Sequence, residues 1–302
     1  MKQTYRIGID SGGTKIKATI YNSAGSALLT ATSGPGNLLS DPTGTMKNMQ
    51  DIMDQLDVFK NTSNSCQAIL IGLAGMSAAA EQAKTLTELK LRFKSHFNCS
   101  NIGIVSDAQL GLMNGLANQD GFLVIAGTGS ICYGRQNGIY LRSGGWGSYL
   151  GDEGGAYQIA QSAIRTGLIA FDHGMDSDIL AAAFTFFKVD DVSKLVSIFY
   201  RSARTQIAKF ALVVAHLADH GSQEAKQILW KQGDALGKSL TTLFNRYQKE
   251  GGIASYKIAC SGSVLQHNAV VRQAMLGRLS NQYPEIQAHV VTRSNTAGVL
   301  YF

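Results

Sequence analysis

Alternating apolar and polar residues open the chain and predict a group of short strands. Ile7 and Ile9 alternate with small or polar residues before Asp10, and a second alternating run covers residues 16–21. β-branched residues in such a pattern favour a half-buried strand. A Gly-rich turn separates these two runs, and a third run follows at residues 27–32. The sequence therefore predicts three consecutive strands joined by two tight turns.

The same pattern returns in the middle of the chain. An apolar run at residues 122–126 leads into a second Gly/Thr turn, and further runs follow at 131–135 and 139–143. Asn137-Gly138 separates the last two runs, and Asn-Gly between alternating runs is a strong hairpin signal. The repetition predicts two duplicated halves that each carry one Gly/Thr turn.

Helical and buried-strand patterns alternate after the first three strands. A helix is predicted from about residue 42, and Ser77 is a candidate N-cap for a second helix. A third helix is predicted at residues 108–117. The continuous apolar run at 68–73 and the short run at 102–105 predict buried parallel strands between these helices.

The second half begins in the same way but contains far more helix. Residues 156–170 read as a helix, and residues 176–248 are nearly all helical in pattern. A strand at 256–260, a helix at 264–279 and a last strand at 286–291 complete the half. The long helical stretch has no counterpart in the first half and is therefore predicted to be an insertion.

These patterns predict an α/β protein of two duplicated domains. The first domain is expected to cover residues 1–117 and the second residues 118–302, with the helical insertion at about 171–250. A chain of 302 residues is long enough for two such domains, each with a sizeable core.

Composition and net charge indicate which kinds of ligand and environment are expected. Hydrophobic residues make up 45% of the chain and charged residues 16%, as in a globular protein, and the net charge is +6. Because no run of like charges accompanies this mild positive charge, we expect a small anionic ligand and no nucleic acid. No apolar stretch is long enough to span a bilayer, and the N-terminus lacks the apolar core of a secretory signal, so neither a membrane nor export is expected.

The cysteines point to a reducing compartment. The four cysteines are scattered along the sequence without a C-x-x-C pair. This distribution argues against a disulfide framework and against a cysteine zinc site, and we expect a cytoplasmic protein.

Candidate chemistry lies in the two Gly/Thr turns. Glycine lets the backbone approach a ligand, and successive N–H groups in such a turn can bind phosphate. Each turn alone could equally be an ordinary hairpin, but a pair of them favours the phosphate interpretation. Asp10, at the end of a strand beside the first turn, could hold Mg²⁺ through water.

Two further stretches could bind a ligand. Asp107 follows a short strand and begins a helix, which is where open α/β sheets place ligands, although it could also be only an N-cap. Residues 144–155 are dense in glycine around Trp146 and two acids. Such a stretch is typical of a small-molecule pocket, but it could also be a bulged loop that merely packs.

Six motifs together resemble one known family over nearly the whole chain. They are I-G-I-D-S-G-G-T-K (7–15), G-P-G-N (34–37), G-L-A-G (72–75), S-D-A (106–108), I-A-G-T-G-S (125–130) and G-G-W-G-S-Y-L-G-D-E-G (144–154). With the duplicated halves, they resemble the N-acetylglucosamine kinase and BadF/BadG-type ATPase family. That resemblance implies ribonuclease H-like domains of the actin-like ATPase fold. The E-x-G-H step and cysteine-rich zinc motif of the related ROK kinases are absent from this sequence.

The resemblance also implies roles for individual residues, with ATP and Mg²⁺ as cofactors. Asp10 would orient Mg²⁺ through water, and Asp107 would accept the proton of the sugar 6-hydroxyl. The residues implied to bind ATP are Gly12, Gly13, Thr14, Lys15, Gly127, Thr128 and Gly129 at the phosphates and Ser261, Gly262 and Ser263 at adenosine. The residues implied to bind the sugar are Asn37, Gly145, Trp146 and Asp152.

The function implied by the resemblance is an ATP-dependent kinase that phosphorylates the 6-hydroxyl of N-acetylglucosamine, as a homodimer. Glucosamine or N-acetylmuramic acid is an alternative substrate, because one or two contacts decide such a preference. A different class, an ATP-driven activator of a radical dehydratase, would need cysteines for an Fe–S cluster. Cys99 and Cys132 show no evident cluster spacing, which argues against that class. The short tail after Ser294 leaves little room for the terminal helix of many relatives.

Overall fold

The computed structural model describes residues 3–59, 64–76 and 80–302, which fall into two compact units. The first unit ends at Gln119 and also contains Thr292–Phe302, and the second unit is Asp120–Val291. This division differs from the predicted second domain of 118–302, because the C-terminal segment packs within the first unit. Ser77, the predicted cap of the second helix, lies outside the described residues.

The first unit is a five-stranded sheet with helices on both faces. Its strand order is β3-β2-β1-β4-β5, with β1 antiparallel to β2 and parallel to β4. The elements are β1 Gln3–Ser11, β2 Ile16–Asn22, β3 Ala27–Ser33, α1 Pro42–Leu56, β4 Asn64–Leu73, α2 Ala80–Phe97, β5 Ile102–Ser106 and α3 Asp107–Leu116. Short 3₁₀ helices at Asp57–Phe59 and Asn295–Tyr301 complete the unit.

The apolar run in β4 is explained by burial on both faces of the sheet. Ile69 and Ile71 pack in the core that α1 and α2 share. Their neighbours Ala68 and Leu70 point the opposite way, into a smaller core with α3. Successive side chains of a strand alternate between faces, so a strand covered on both sides reads as continuously apolar.

The C-terminal 3₁₀ helix covers one face of the first sheet. Its residues Ala297 and Val299 are buried in the smaller core beside α3. The helix backbone also lies so close to β1 that a Cβ on Gly8 would come within 1.8 Å of the Thr296 carbonyl oxygen. The short tail is thus a structural part of the first unit, and it explains the glycine of the I-G-I-D motif.

The second unit repeats the sheet of the first. Its strand order is β10-β9-β6-β7-β8, so the antiparallel triplet and the two parallel strands occupy matching places, which confirms the predicted duplicated α/β architecture. The elements are β6 Gly121–Ala126, β7 Ser130–Gln136, β8 Ile139–Gly144, α4 Ala156–Asp172, α5 Asp178–Phe187, α6 Val192–Arg201, α7 Arg204–Ala208, α8 Phe210–Asp219, α9 Gln223–Lys249, β9 Lys257–Ser261, α10 Ser263–His267, α11 Ala269–Ser280 and β10 Gln287–Val290.

Helix dominates the chain between β8 and β9. Six helices, α4 to α9, lie where the first unit has α1 and a short 3₁₀ helix between β3 and β4. The description of this stretch as an insertion stays a prediction. The helix predicted at 264–279 is instead two, because Asn268 is extended and its side chain caps α11 through the Val271 N–H. Within the described residues no helix has the length and apolar character needed to span a membrane.

Candidate active site

Asp10 lies near the end of β1 in an environment that disfavours its charge. Burial and the nearby negative charge of Asp107 raise the pKa of Asp10 to about 6, while Lys15 and Lys17 act weakly in the opposite direction. Asn295, from the C-terminal 3₁₀ helix, donates its amide Nδ2 to Asp10 Oδ2 at 3.3 Å. The two carboxylates of the first unit are therefore close enough to repel each other, which is an arrangement that a cation would relieve.

Asp107 does not cap the helix that it begins. Ser106 is the N-cap of α3, with its hydroxyl accepting from the Gln109 N–H at 3.1 Å and the Gln109 side chain accepting from the Ser106 N–H at 3.0 Å. Asp107 is the first helical residue, and its Oδ1 accepts the Ala108 N–H at 2.8 Å. Burial raises the pKa of Asp107. The N-cap alternative for Asp107 is therefore wrong, and a S-x-x-Q capping box in the sequence could have shown it.

The first Gly/Thr turn is exposed and is closed by one backbone hydrogen bond. The Gly12 N–H donates to the Lys15 carbonyl at 3.0 Å, and Gly13, Thr14 and Lys15 are exposed. Gly13 has no left-handed φ, and a Cβ there would meet no atom of the described residues within 4 Å. The fold itself does not require glycine at this position, so an approaching ligand is the better explanation for it.

Asn37 is held by the loop in which it lies. Its Oδ1 accepts the N–H groups of Leu39 at 3.0 Å and Ser40 at 3.2 Å, and its backbone forms a bridge with Ala74. A Cβ on Gly75 would come within 2.1 Å of that Oδ1. The G-P-G-N and G-L-A-G motifs are thus packed together. Within the described part of the chain, no residue accepts a hydrogen bond from the Asn37 Nδ2, which leaves this amide able to bind a ligand.

The second Gly/Thr turn is fixed by the helix that follows it. The Gly127 carbonyl accepts the Ala156 N–H at 2.8 Å, and the Thr128 carbonyl accepts the Tyr157 N–H at 3.0 Å. These are the first N–H groups of α4, which lack intrahelical partners. Ser130 Oγ donates to the Glu153 carbonyl at 2.6 Å. The start of α4 therefore orders the turn through its carbonyl oxygens.

Asp152 packs directly against this turn. A Cβ on Gly129 would lie 2.2 Å from Asp152 Oδ2, so only glycine fits beside the carboxylate. Asp152 is buried, has a left-handed φ of 64°, and accepts the Gly147 N–H through Oδ1 at 3.1 Å. A non-glycine residue in this conformation is strained, and such strain tends to lie at functional sites.

Trp146 lies in the loop that Asp152 organises. Its side chain is 60% exposed, and the Arg142 guanidinium stacks 3.9 Å from the ring centroid. Gln158 of α4 fixes the loop, because its Nε2 donates to the carbonyl oxygens of Ser148 at 2.8 Å and Gly151 at 3.0 Å. Gly145 is in a left-handed conformation next to Trp146. The predicted sugar-binding residues Gly145, Trp146 and Asp152 thus belong to one ordered loop.

The predicted adenosine residues lie beside the same turn. Ser261 ends β9, Gly262 follows with a φ of 88°, and Ser263 begins α10. A Cβ on Gly262 would come within 2.3 Å of the Ala126 carbonyl oxygen, at the end of β6. The residues predicted to bind adenosine and those of the second Gly/Thr turn are therefore neighbours.

Two contributors were missed at the level of sequence. Asn295 contacts Asp10 from 285 positions away, and Gln158 supports the Trp146 loop from within a helix. Nothing in the local pattern of either residue indicates these contacts, since both depend on tertiary packing. The predicted residues themselves form two sets. Asp10, Gly12 to Lys15, Asn37 and Asp107 belong to the first unit, and all the others belong to the second.

Two proteins named as amino-sugar kinases are similar to this chain over most of its length. An N-acetylmuramic acid/N-acetylglucosamine kinase from Clostridium acetobutylicum is 36% identical over 231 residues, covering 74% of this chain and 74% of that protein. An N-acetyl-D-glucosamine kinase from Dictyostelium discoideum is 24% identical over 305 aligned residues, covering 95% of this chain and 93% of that protein.

The fold is shared with solved structures. A Chromobacterium violaceum protein provisionally named an N-acetylglucosamine kinase superposes with a TM-score of 0.71 at 20% identity, covering 98% of this chain and 97% of that one. At that identity the likeness shows the fold alone. Residues 7–300 match the model of the BadF/BadG/BcrA/BcrD ATPase family. Because this match spans almost the whole sequence, the chain belongs to the BadF/BadG/BcrA/BcrD ATPase family.

Proposed function

We propose that this protein is an ATP-dependent amino-sugar kinase that transfers the terminal phosphate of ATP to the 6-hydroxyl of N-acetylglucosamine. The observation that carries the proposal is the position of Asp107, a partly buried carboxylate that directly follows the edge strand β5 and is not needed as a helix cap. The names of the kinases from Clostridium acetobutylicum and Dictyostelium discoideum support the substrate class.

Asp107 is assigned the role of general base. A sugar hydroxyl is a poor nucleophile, and a carboxylate within hydrogen-bond reach accepts its proton as the oxygen attacks phosphorus. The Ala108 N–H bond to Oδ1 fixes the carboxylate and favours its charged form. Partial burial raises its pKa and makes it a better proton acceptor than an exposed aspartate.

Each unit is assigned its own contacts with ATP. Gly12, Gly13, Thr14 and Lys15 of the first unit and Gly127, Thr128 and Gly129 of the second are proposed to bind the phosphates through backbone N–H groups, hydroxyls and the lysine ammonium. Ser261, Gly262 and Ser263 are proposed to bind adenosine, and their position beside Gly127 supports this. The family name itself specifies an ATPase.

Asp10 is proposed to hold Mg²⁺ through water. Its carboxylate oxygens are the kind of ligand that Mg²⁺ prefers, and burial together with the nearby charge of Asp107 raises the pKa of Asp10, which a bound cation would offset. When bound, the cation would neutralise charge on the phosphates. Asn295 orients the Asp10 carboxylate by donating to Oδ2.

The sugar is assigned to Asn37, Gly145, Trp146 and Asp152. Asn37 is suited to the 2-N-acetyl group because its Nδ2 is available while its Oδ1 is occupied by the loop. Asp152 can accept hydrogen bonds from sugar hydroxyls through the carboxylate that Gly147 orients. Trp146 offers a flat apolar face, of the kind on which a pyranose ring packs.

N-acetylmuramic acid is a second candidate substrate. The observation that favours it is the Clostridium acetobutylicum relative, whose name includes both sugars and which is 36% identical to this chain. The two sugars share the 6-hydroxyl and the 2-N-acetyl group, so the same catalytic residues would serve both.

An ATP-consumption assay over a panel of amino sugars tests the proposed function. With Mg²⁺ present, N-acetylglucosamine should stimulate ATP consumption strongly and glucosamine weakly, and no consumption above the sugar-free rate should occur without Mg²⁺. Iron content measured on the same preparation distinguishes the kinase from the alternative class, the activator of a radical dehydratase. A brown protein with stoichiometric iron and no sugar-dependent ATP consumption would favour the radical-dehydratase activator.

Asn37→Asp tests the assignment of the N-acetyl group. Aspartate keeps the oxygen that accepts from Leu39 and Ser40 but loses the amide donor, so the loop should stay folded. We expect KM for N-acetylglucosamine to rise about five- to a hundredfold and KM for glucose to change little, since a lost hydrogen bond to a buried polar group costs roughly 1–3 kcal/mol. Equal changes for both sugars would mean that Asn37 only shapes the loop.

A further inference from the structure

A cleft in the second unit lies directly beside the proposed sugar-binding loop. It has a volume of about 600 Å³, which is within the usual size range of small-molecule sites. Residues 146–150 form one wall, and α4, α6 and α7 form the others. Trp146 and Gly147 therefore belong both to this cleft and to the loop that Asp152 organises.

Five of the twelve described residues that line the cleft are aromatic. The Tyr157 and Phe199 rings lie 6.3 Å apart, and Phe199 meets Tyr200 edge to face at 5.8 Å. Tyr149 and Tyr200 are almost fully exposed, although each presents a large apolar surface. Aromatic surface of this kind, with polar tips at its edge, suits a small ligand with both apolar and polar groups.

Charge in the cleft is of one sign. Arg204 contributes a guanidinium, and none of the described residues that line the cleft is an aspartate or glutamate. In the described part of the chain no ion pair joins Arg204 to a carboxylate. The Arg204 charge reaches the Tyr157 hydroxyl, since it acts to lower the pKa of that group against the larger effect of burial, which raises it. Arg204 is thus an exposed cation at the cleft wall, and among the described residues no carboxylate forms an ion pair with it.

We propose that this cleft binds a carboxylate-bearing substituent of the acceptor sugar and that Arg204 pairs with that carboxylate. The proposal rests on the proposed kinase function, because it places the sugar ring at Trp146 and Asp152. A substituent on that ring can enter the cleft because Trp146 lines both sites. A guanidinium binds a carboxylate by two parallel hydrogen bonds, and the tyrosines would cover the apolar part of the substituent.

A charge-matched pair of sugars tests this proposal. The first is N-acetylmuramic acid, an amino sugar that carries a carboxylate, and the second is its methyl ester, which has nearly the same shape but no charge. The measured quantity is the ratio of kcat/KM for the acid to kcat/KM for the ester. Because both values come from one protein sample, any loss of folded enzyme in a variant cancels in the ratio.

The wild-type protein should prefer the acid about two- to fivefold, the range that an accessible ion pair with good geometry supports. Arg204→Gln should bring the ratio close to one. Arg201→Gln is the matched control, because Arg201 is an exposed arginine at the end of α6 that does not line the cleft. It should keep the wild-type ratio. Raising the salt concentration from about 0.05 M to about 0.5 M should shrink the preference in the wild type, since screening weakens an accessible ion pair.

A binding measurement separates failure of this inference from failure of the kinase function. Trp146 lines the cleft, so titration of its fluorescence with the acid and the ester reports affinity without turnover. If the wild type phosphorylates no amino sugar, the kinase function falls, and the fluorescence ratio still decides whether Arg204 binds the carboxylate. A wild-type ratio near one, or a preference that survives Arg204→Gln or falls equally in Arg201→Gln, would overturn the inference.

Discussion

The two Gly/Thr turns occupy the same place in two sheets of the same topology but are built differently. In the first unit the turn is exposed, closed by one backbone bond from Gly12 to Lys15, and neighboured by the carboxylates of Asp10 and Asp107. In the second unit the turn receives two N–H groups from α4 and packs against Asp152. The strand before the turn also differs: β1 ends with Asp10-Ser11, whereas the corresponding strand β6 of the second unit ends with Ala126 and has no carboxylate there.

This difference shows how a duplicated fold can divide its work. The first unit concentrates repelling negative charge, which suits a cation and a proton acceptor. The second unit is the more tightly packed at its turn, because the turn, the Trp146 loop and Gly262 lie against one another. Under the proposed function, the same topology would carry the reactive groups in one copy and a rigid binding surface in the other.

The largest expected effect comes from removing the base of the first unit. Asp107→Asn should lower kcat on the order of 10²–10⁴-fold, while KM for ATP and for the sugar stays close to the wild-type values. Asparagine retains an oxygen for the Ala108 N–H, and Ser106 remains the helix cap. Because the change also removes a partly buried charge that repels Asp10, the melting temperature at neutral pH should stay equal or rise. Steady-state kinetics and thermal denaturation on the same sample check both parts.

Asp191→Asn serves as the control for Asp107→Asn. Asp191 caps α6 through the Lys194 N–H, and asparagine caps about equally well, so neither stability nor kcat should change. If Asp107→Asn kept kcat within about threefold of the wild type, well below the range for a general base, Asp107 would lose that role. Asp152 would then be the next candidate for it.

Adding a methyl group to each turn tests the contrast in packing. Gly129→Ala would place a Cβ 2.2 Å from Asp152 Oδ2, and we expect it to lower the free energy of unfolding by about 1–3 kcal/mol and to raise KM for the sugar. Gly13→Ala meets open space and a permissive backbone, so the free energy of unfolding should stay equal or rise by about 0.4–1 kcal/mol. Its KM for ATP should rise, because the new methyl group takes the place of an approaching phosphate.

Urea denaturation of both variants measures this contrast directly. A Gly129→Ala protein as stable as the wild type would show that Asp152 moves away without cost, and the second turn would then be no more constrained than the first. A Gly13→Ala protein with unchanged KM for ATP would remove the first turn from the ATP site.

The carboxylate pair of the first unit predicts a pH-dependent stability. The folded pKa of Asp10 is about 6, above the ordinary value near 4, so the folded state binds this proton more tightly than the unfolded state. Asp10 therefore weakens the fold as pH rises from about 4 to about 6, and the full cost is present above that range. Asp10→Asn should raise the free energy of unfolding by about 3 kcal/mol at pH 8, and most of the gain should be lost near pH 4.

Chemical denaturation of the wild type and Asp10→Asn at the two pH values checks this expectation, since titrating groups that do not interact with Asp10 cancel in the difference and, among the carboxylates of the described residues, Asp107 alone is coupled to it. A gain of the same size at both values would mean that the Asp10 charge is not the cause. The variant should also lose most of its Mg²⁺-dependent ATP consumption. A variant that is more stable but less active is expected when a destabilising charge is kept in the fold because the reaction needs it.

The sequence was enough to predict the order of strands and helices because periodicity is a local signal. Alternation around the two turns and the apolar run in β4 predicted both strand triplets and the parallel strands along the chain, while the fold that joins them was implied by the family resemblance. Ser106-x-x-Gln109 was also readable as a capping box, so the true cap of α3 lay within reach.

Contacts between distant parts of the chain could not be predicted in this way. The contact of Asn295 with Asp10 spans 285 positions, and the fit of Gly129 against Asp152 depends on how α4 meets the turn. The placement of Thr292–Phe302 in the first unit likewise depends on Ala297 and Val299 finding a core that only the folded sheet provides. Each of these features is a consequence of packing, which no window of local sequence contains.

The smallest expected effect compares one hydroxyl in each turn. Thr128→Val keeps the shape and the backbone bond to Tyr157 but removes the hydroxyl, which has no partner among the described residues. We expect KM for ATP to rise about five- to tenfold, as for the loss of a hydrogen bond of about 1 kcal/mol or slightly more. Thr14→Val in the exposed first turn should raise it less, because a hydroxyl on a less constrained turn loses more of its binding energy to ordering. ATP-dependent kinetics at saturating sugar measure both variants. A larger rise in KM for ATP from Thr14→Val than from Thr128→Val would contradict the view that the second turn is the more constrained of the two.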